Sequence, residues 1–165
     1  MKKENIRTDM EKTNVMRVLE QKKIPYTPHD YSQSGTTVGM EVAAALGEDP
    51  ARVFKTLVTE AAGRKYYVFM VPVSGGLDLK KAAKAVGEKK IEMIPQKDLL
   101  PLTGYVHGGC SPIGMKKAFP TVVDISAKDF PTICFSAGKI GYQVETAPDD
   151  IGKAIRFTYA DVADR

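Results

Sequence analysis

Residues 108–117, Gly-Gly-Cys-Ser-Pro-Ile-Gly-Met-Lys-Lys, have the composition of a ligand-binding loop. Three glycines and a proline within seven positions disfavour a helix or strand interior, and they favour a rigid loop whose backbone N–H groups can approach a ligand. Lys116 and Lys117 follow directly and place the loop in positive potential. Such a loop suits a phosphate or a developing oxyanion, although glycine richness alone is also typical of an ordinary turn. The chain has neither a GxxxxGK[ST] phosphate loop nor a strand–GxGxxG–helix fingerprint.

Lys55 and residues 136–141 are two further candidates for the same site. Lys55 interrupts the apolar, strand-like run 53–57, so it is either a surface lysine or a residue that binds a phosphate or a carbonyl oxygen. Residues 136–141, Ser-Ala-Gly-Lys-Ile-Gly, follow another predicted strand. They could form the facing wall of one pocket, or only the hairpin turn between two strands.

The histidines and cysteines give weaker signals. His107 and Cys110 raise the possibility of a Cys–His nucleophile pair, but no third orienting residue is evident, and a lone cysteine is usually a small buried hydrophobe. His29 has no support as a general base, and Asp124 and Glu145 show no recognisable carboxylate pairing. Two cysteines without a CxxC or His-rich pattern indicate neither a disulfide scaffold nor a zinc site. We therefore expect no metal and no cofactor.

Bulk composition predicts one domain spanning residues 1–165. The chain is 43% hydrophobic and 27% charged, as is usual for a globular protein, and no apolar run approaches the ~18 residues of a membrane span. The N-terminus lacks the apolar region of a secretory signal, so we expect a cytoplasmic protein with no membrane partner. The net charge of +4 is uneven, because residues 80–117 alone carry +5. This segment suits a phosphate-bearing partner, or is merely the solvated lysine face of a helix.

The chemistry-bearing segments must be positioned by short interspersed elements. Thr8 or Asp9 can cap a first helix that runs to about Lys23, and Thr36 or Thr37 can cap a second helix over 40–46. Asp78 can cap a third helix over 79–86, which Gly87 ends. A hairpin turn at 63–64 joins strands over 53–59 and 66–73. We also predict strands over 121–125, 132–136 and 142–146, and a last helix over 148–155. The pattern predicts an α+β fold with a mixed, curved, barrel-like sheet flanked by helices.

Taken together, these motifs resemble the YbaK/EbsC family of bacterial aminoacyl-tRNA deacylases, in particular its Cys-tRNA(Pro) deacylases. The matching strings are Phe-Lys-Thr-Leu at 54–57, the loop 108–117 and the loop 136–141, with shorter matches at 77–81, 89–93 and 103–105. The resemblance implies a domain similar to the editing domain of bacterial prolyl-tRNA synthetases. It also implies mischarged tRNA as substrate and prolyl-tRNA synthetase as a partner.

The resemblance also implies roles for particular residues. Lys55 is expected to contact the aminoacyl-adenosine end as the catalytic residue. The other residues predicted to bind substrate lie beside it or in the two glycine-rich loops: Tyr31, Thr56, Gly108, Gly109, Ser111, Ser136 and Gly138. Two positions depart from the family pattern. Val38 stands where an aromatic residue is common, and Gln143 where an acid is common, which could alter the substrate range.

In the family's chemistry the substrate cysteine thiol attacks its own ester carbonyl, so the enzyme needs only to orient the ester and stabilise an oxyanion. A glycine-rich, histidine-poor site fits this scheme. Two alternatives remain open at this point. One is a deacylase for another mischarged tRNA, such as Ala-tRNA(Pro), and the other is a non-catalytic module that binds tRNA or a synthetase.

Overall fold

The computed structural model describes residues 12–165, in which three sheets are packed with short helices in a mixed α+β arrangement. The α-helices are α1 (Asn14–Gln21), α2 (Gly39–Ala45), α3 (Leu79–Val86) and α4 (Leu99–Thr103). The longer strands are β1 (Thr27–Asp30), β2 (Phe54–Ala61), β3 (Lys65–Pro72), β6 (Thr121–Asp124), β7 (Ile133–Ser136), β8 (Tyr142–Thr146) and β9 (Phe157–Ala160). Two-residue strands are β4 (Gly76–Leu77), β5 (Glu92–Met93) and β10 (Ala163–Asp164). Turns of 3-10 helix occupy Pro50–Arg52, Gln96–Asp98, Ile125–Asp129 and Pro148–Lys153.

Helix α3 forms as its sequence predicts. The Asp78 carboxylate accepts hydrogen bonds from the N–H groups of Lys80 and Lys81, and Gly87 ends the helix in the left-handed conformation with φ +74°. Two of its three alanines, Ala82 and Ala83, are buried against the central sheet. The predicted limits of α3 are therefore confirmed.

The ends of the other helices differ from prediction. Helix α1 ends at Gln21 and is capped by the Thr13 hydroxyl, whereas the predicted caps Thr8 and Asp9 lie outside the described residues. The prediction that Thr36 or Thr37 caps α2 is wrong, because the cap position is Val38. The Thr36 hydroxyl instead accepts from the Val38 N–H, one residue before the helix begins.

The C-terminal region also departs from prediction. The last predicted helix is a 3-10 segment over Pro148–Lys153, with Pro148 and Ile151 buried, and it ends before Ile155. The strands β9 and β10 that follow it have mixed exposure, so period-two patterning did not reveal them. Asp124, which is fully buried at the end of β6, accepts hydrogen bonds from the N–H groups of Val162 and Ala163 and thereby fixes this tail to the sheet.

The central sheet has the strand order β5-β2-β3-β6-β9. Strands β2 and β3 form an antiparallel hairpin in register from Phe54 opposite Pro72 to Ala61 opposite Lys65, and its turn places Gly63 and Arg64 at positive φ. The pairs β3–β6 and β6–β9 are parallel, so the sheet is mixed. The predicted hairpin and mixed sheet are therefore confirmed.

The prediction of a barrel-like sheet is wrong, because the sheet stays open. Strands β5 and β9 are its two edges, and β5 is too short to extend the pairing along the whole of β2. A second sheet, β1-β8-β7, packs beside the start of β2, where a bridge joins Val53, the residue before β2, to Cys134 of β7, and β4 and β10 form a third small sheet. The main hydrophobic core lies between α1, the central sheet and the β1-β8-β7 sheet, with Leu19, Phe54 and Phe135 in its centre.

Candidate functional site

A cleft of about 480 Å³ lies where the start of β2 meets the β1-β8-β7 sheet and the segment that leads into α2. It is lined by five of the predicted site residues, which come from four separate parts of the chain: Tyr31, Lys55, Thr56, Gly108 and Ser136. The structure thus brings Lys55 and both glycine-rich loops to one cavity. Three predicted residues, Gly109, Ser111 and Gly138, do not line it.

The cleft borders a stretch of β2 that has no strand on one side. Strand β5 pairs with Thr59 and Glu60, and β7 comes beside the start of β2 at the Val53–Cys134 bridge, so within residues 12–165 no strand pairs with the stretch around Thr56 on the cleft side. In an antiparallel ladder, alternate residues direct both backbone groups to the same side. The Val58 carbonyl accepts from Ile94 on the outer side, so the N–H and C=O of Thr56, two residues earlier, also point outward into the cleft.

Thr56 also brings a hydroxyl without a partner. Its Oγ1 atom is buried and makes no hydrogen bond within residues 12–165. Leaving a buried polar group unsatisfied costs about 1–3 kcal/mol, so such groups are uncommon unless a ligand completes them. Thr56 therefore brings two polar groups to the cleft wall: a backbone N–H that points outward and a hydroxyl that is buried without a partner.

Lys55 supplies the positive charge of the site. Lys55 is half-buried, lines the cleft and forms no ion pair with any side chain in the described part of the molecule. The other lysine on the hairpin, Lys65, lies at the far end of β3 and approaches Glu88 within 3.8 Å. An uncompensated ammonium at the mouth of a cleft is suited to an anionic ligand or a polarised carbonyl oxygen.

The two glycine-rich loops pack directly against each other. Gly108 has φ +88° and faces the cleft, and a Cβ there would lie 3.4 Å from Thr37. At Gly109 a Cβ would come within 3.2 Å of the Ile140 nitrogen, so glycine permits the close approach of the two loops. The Gly109 N–H donates to the Val106 carbonyl at 3.0 Å and is committed to a turn.

The remaining two predicted residues lie behind the cleft wall. Ser111 is fully buried, and its hydroxyl accepts from the Ile113 N–H at 3.4 Å. Gly138 packs beside Val15 and Tyr105, and its N–H donates to the Ser136 hydroxyl at 3.0 Å. The loop 136–141 contains the hairpin turn between β7 and β8, and of its residues only Ser136, the last residue of β7, lines the cleft.

His107 and Cys110 both line the cleft, but no hydrogen bond within residues 12–165 joins them. Cys110 is 8% exposed, and burial raises the pKa of its thiol to about 12. The thiolate is the nucleophilic form of cysteine, and burial suppresses it here. The geometry therefore does not support a Cys–His nucleophile pair.

A polar network lies behind the cleft on the side of β8. Gln143 lines the cleft and, in the amide orientation that satisfies its hydrogen bonds, donates to the two Glu48 carboxylate oxygens at 3.0 and 3.2 Å. Only 6% of the Glu48 side chain is exposed, and burial raises the pKa of its carboxyl. Sequence reasoning gave no role to Glu48, since an acid in a loop has no periodic pattern that marks it.

Glu145 forms the second half of this network. It accepts from His29 Nε2 at 2.7 Å, and its other carboxylate oxygen accepts from Arg52 and from the Thr132 hydroxyl, both at 2.5 Å. Although burial raises the pKa of Glu145, its bonds to Thr132, His29 and Arg52 lower it to about 2. These partners tie β1, β7 and β8 together at the base of the cleft.

One group of side chains has the donor types of a metal site. Ligand atoms of His29, Glu48 and Cys134 lie within 4.8 Å of one another, and nitrogen, oxygen and sulfur donors of this kind suit zinc. His29 and Glu48 already have partners in the network, since His29 pairs with Glu145 and Glu48 accepts from the Gln143 amide. Two of the three donors are therefore committed to hydrogen bonds.

Residues 34–154 match the family model of the aminoacyl-tRNA editing domain. The chain is 46% identical over 153 residues to EbsC of Enterococcus faecalis, which covers 92% of this chain and 93% of that protein. The name of that relative describes it as a candidate Cys-tRNA(Pro)/Cys-tRNA(Cys) deacylase.

Solved structures share the fold at low sequence identity. The hypothetical protein APE2540 superposes with a TM-score of 0.83 at 21% identity, over 91% of this chain and 99% of that one. A protein described as a candidate trans-editing enzyme for prolyl-tRNA synthetase superposes with a TM-score of 0.78 at 23% identity, over 92% and 95% of the two chains. Within residues 12–165, no helix is long and apolar enough to cross a membrane.

Proposed function

Since this chain belongs to the aminoacyl-tRNA editing domain family and is an aminoacyl-tRNA deacylase, we propose that it removes cysteine mischarged onto tRNA(Pro). The observation that carries the proposal is the 46% identity to a relative named for Cys-tRNA deacylation, which extends over 92% of the chain. The family resemblance inferred from the sequence motifs is confirmed. The preference for cysteine, the tRNA identity and the residue roles below belong to the proposal.

The cleft would hold the ester with Lys55 and the free edge of β2. The ester carbonyl oxygen would accept from the Thr56 N–H or hydroxyl, which have no other partner on the cleft side. Lys55 would stabilise negative charge on that oxygen or on the terminal nucleotide. Loss of the Lys55 charge would lower the rate by about 10²–10³-fold, as is typical when a principal donor is removed from an oxyanion site.

The substrate would supply its own nucleophile. In this scheme the cysteine sulfur forms a bond to its carbonyl carbon, the ester C–O bond to the ribose breaks, and the thiol proton ends on the departing ribose hydroxyl. Water then opens the cyclic thioester to free cysteine. The protein contributes near-attack geometry and charge stabilisation, which accords with a cleft whose only thiol, Cys110, is held protonated by burial.

Partner binding is part of the proposal. We expect the aminoacylated 3′ end to enter the cleft and prolyl-tRNA synthetase to supply recognition of the tRNA body. The +5 segment 80–117 is where a phosphate backbone would be received. A native-mass or pull-down measurement with purified synthetase, with and without tRNA(Pro), tests the contact.

A panel of charged tRNAs tests the activity. The panel contains Cys-tRNA(Pro), Cys-tRNA(Cys), Ala-tRNA(Pro) and Ser-tRNA(Pro), assayed with wild type, Lys55→Ala and the matched control Lys65→Ala. We expect hydrolysis of cysteinyl esters only, loss of activity by about 10²–10³-fold in Lys55→Ala, and wild-type rates in Lys65→Ala. Circular dichroism confirms that both variants fold.

The other outcomes separate the alternatives. Turnover of Ala-tRNA(Pro) or Ser-tRNA(Pro) at the cysteinyl rate would contradict the thiol-assisted step, because those substrates have no thiol. Tight tRNA binding without hydrolysis of any ester would indicate a binding module. Val38 and Gln143 are the cleft residues that motivate including the alanyl ester.

A further inference from the structure

Gln143 presents an amide at the cleft wall whose orientation is set from behind. It is 5% exposed, yet it reaches the cleft surface from β8. In the amide orientation that satisfies its hydrogen bonds, its nitrogen lies 3.0 and 3.2 Å from the two oxygens of Glu48, which does not itself line the cleft. A Gln amide can present either a donor or an acceptor, so the neighbour on one side decides what faces the other.

In its ionised form, Glu48 allows the Gln143 amide only one orientation. An ionised carboxylate only accepts hydrogen bonds, so the NH₂ end of Gln143 must turn toward it and the carbonyl oxygen must turn away. Only 6% of the Glu48 side chain is exposed, and His29 Nε2 lies 3.7 Å from its Oε2 atom. A buried and restrained carboxylate of this kind fixes the amide more firmly than a solvated one could.

We propose that Glu48 is a positioning residue that holds the Gln143 carbonyl oxygen toward the cleft, where it accepts a hydrogen bond from the free α-ammonium group of the aminoacyl ester. This inference rests on the proposed deacylase function. The cleft then has two electrostatic ends. Lys55 attracts the anionic or carbonyl end of the substrate, and Gln143, backed by the Glu48 carboxylate, receives the cationic end.

A consequence is selectivity for an unblocked amine. An N-acetylated cysteinyl ester keeps the thiol and the ester but has no charge at the amine. We expect wild type to favour Cys-tRNA(Pro) over N-acetyl-Cys-tRNA(Pro) by at least about tenfold in single-turnover rate, as for the loss of a hydrogen bond with a charged partner. The preference depends on an acceptor at Gln143 and hence on Glu48.

The decisive variants are Glu48→Gln, the exchange Glu48→Gln with Gln143→Glu, and the control Glu60→Gln further along β2. The side chain introduced by Glu48→Gln can pair with Gln143 in either orientation, so the ratio of the rates on the free and acetylated esters should fall toward one. The exchange restores a fixed acceptor facing the cleft and should restore the preference. Because glutamine has nearly the size of glutamate and can still hydrogen-bond to the Gln143 amide, Glu48→Gln is expected to fold.

Two readouts distinguish positioning from a merely structural role. One is the ratio of rates on the free and acetylated substrates, which a general loss of stability would not change. The other is the NMR signal of the Gln143 side-chain NH₂, which should exchange slowly with water in wild type and Glu60→Gln but rapidly in Glu48→Gln. These measurements use the full-length chain and need no assumption about the tRNA body.

Failure of the proposed role of Glu48 and failure of the proposed deacylase function give different results. If wild type deacylates Cys-tRNA(Pro) but accepts the acetylated ester equally well, or if Glu48→Gln keeps the wild-type preference, the role of Glu48 is overturned and the proposed function stands. If no cysteinyl ester is hydrolysed, the proposed function fails first. A fast-exchanging Gln143 amide in wild type also overturns the inference, whatever the kinetics show.

Discussion

The Thr56 hydroxyl allows a test in which stability and activity should move in opposite directions. Its oxygen is buried without a hydrogen-bond partner in residues 12–165. An unsatisfied buried hydroxyl costs about 1–3 kcal/mol, and Thr56→Val removes it while keeping the shape of the side chain. Because Thr56 is only half-buried at the cleft, we take the lower end and expect the free energy of unfolding to rise by about 1 kcal/mol. For a chain of this size that corresponds to a rise in Tm of about 2–4 °C.

The same substitution should slow deacylation. If the hydroxyl donates to the ester oxygen, its loss removes one neutral hydrogen bond worth about 0.5–1.5 kcal/mol, or about two- to twelvefold in rate. Thermal and urea unfolding give the stability, and single-turnover hydrolysis of Cys-tRNA(Pro) gives the rate.

Thr59 on the same strand provides the control. Its hydroxyl is buried and donates to the Tyr67 carbonyl at 2.9 Å, so Thr59→Val should lower the free energy of unfolding by about 1 kcal/mol. A fall in Tm for Thr56→Val like that of Thr59→Val would refute the assignment of an unsatisfied hydroxyl. A rise in Tm with an unchanged rate would refute its role toward the substrate.

Three further predictions concern other parts of the fold. Gly138→Ala should lower the free energy of unfolding in urea by at least about 2 kcal/mol, because φ is +88° and a Cβ would meet two side chains at 2.9 and 3.0 Å. In the control Gly63→Ala, φ is also positive but the space around the Cβ is open, so the free energy of unfolding should fall by only about 1 kcal/mol. Burial raises the pKa of Asp124, but its hydrogen bonds lower it overall, so its stabilising contribution is present above about pH 4 and is lost as pH falls through the lower, folded-state pKa. Asp124→Asn should therefore be less stable at pH 7 and show a flatter acid limb in unfolding midpoints. Burial raises the thiol pKa of both Cys110 and Cys134, so a disulfide reagent at pH 8 should react with neither until the protein unfolds, and fast labelling of native protein would contradict this.

Local sequence signals predicted the elements that are stabilised locally. Helix α3 has its cap at Asp78 and its stop at Gly87, and the β2–β3 hairpin has its turn at Gly63 and Arg64, so both appear where expected. Sheet closure depends on pairing between distant strands, and nothing in the run 53–59 shows that β5 would cover only two of its residues. The prediction of a barrel-like sheet was therefore wrong, although the prediction of a mixed sheet was right.

The candidate site, too, was predicted only where its residues belong to distinctive local motifs. Lys55, Gly108 and Ser136 could be grouped because their motifs are distinctive, and the structure brings them to one cleft. The glycine-rich motifs could not predict which loop residues face the cleft, since neighbouring positions of a tight loop point in different directions. Glu48 was not found at all, because its importance arises from its contact with Gln143, nearly a hundred residues away in the chain.

The open edge of β2 has a further consequence, for association between copies of the chain. An unpaired strand edge is a template for pairing with another chain, and proteins commonly protect such edges with charges, especially lysine. Here the edge is flanked by the cleft walls and carries Lys55, so the residue proposed to bind substrate also opposes edge-to-edge aggregation. The part of the strand that must stay unpaired to receive a ligand is thus the part where a charged side chain also favours solubility.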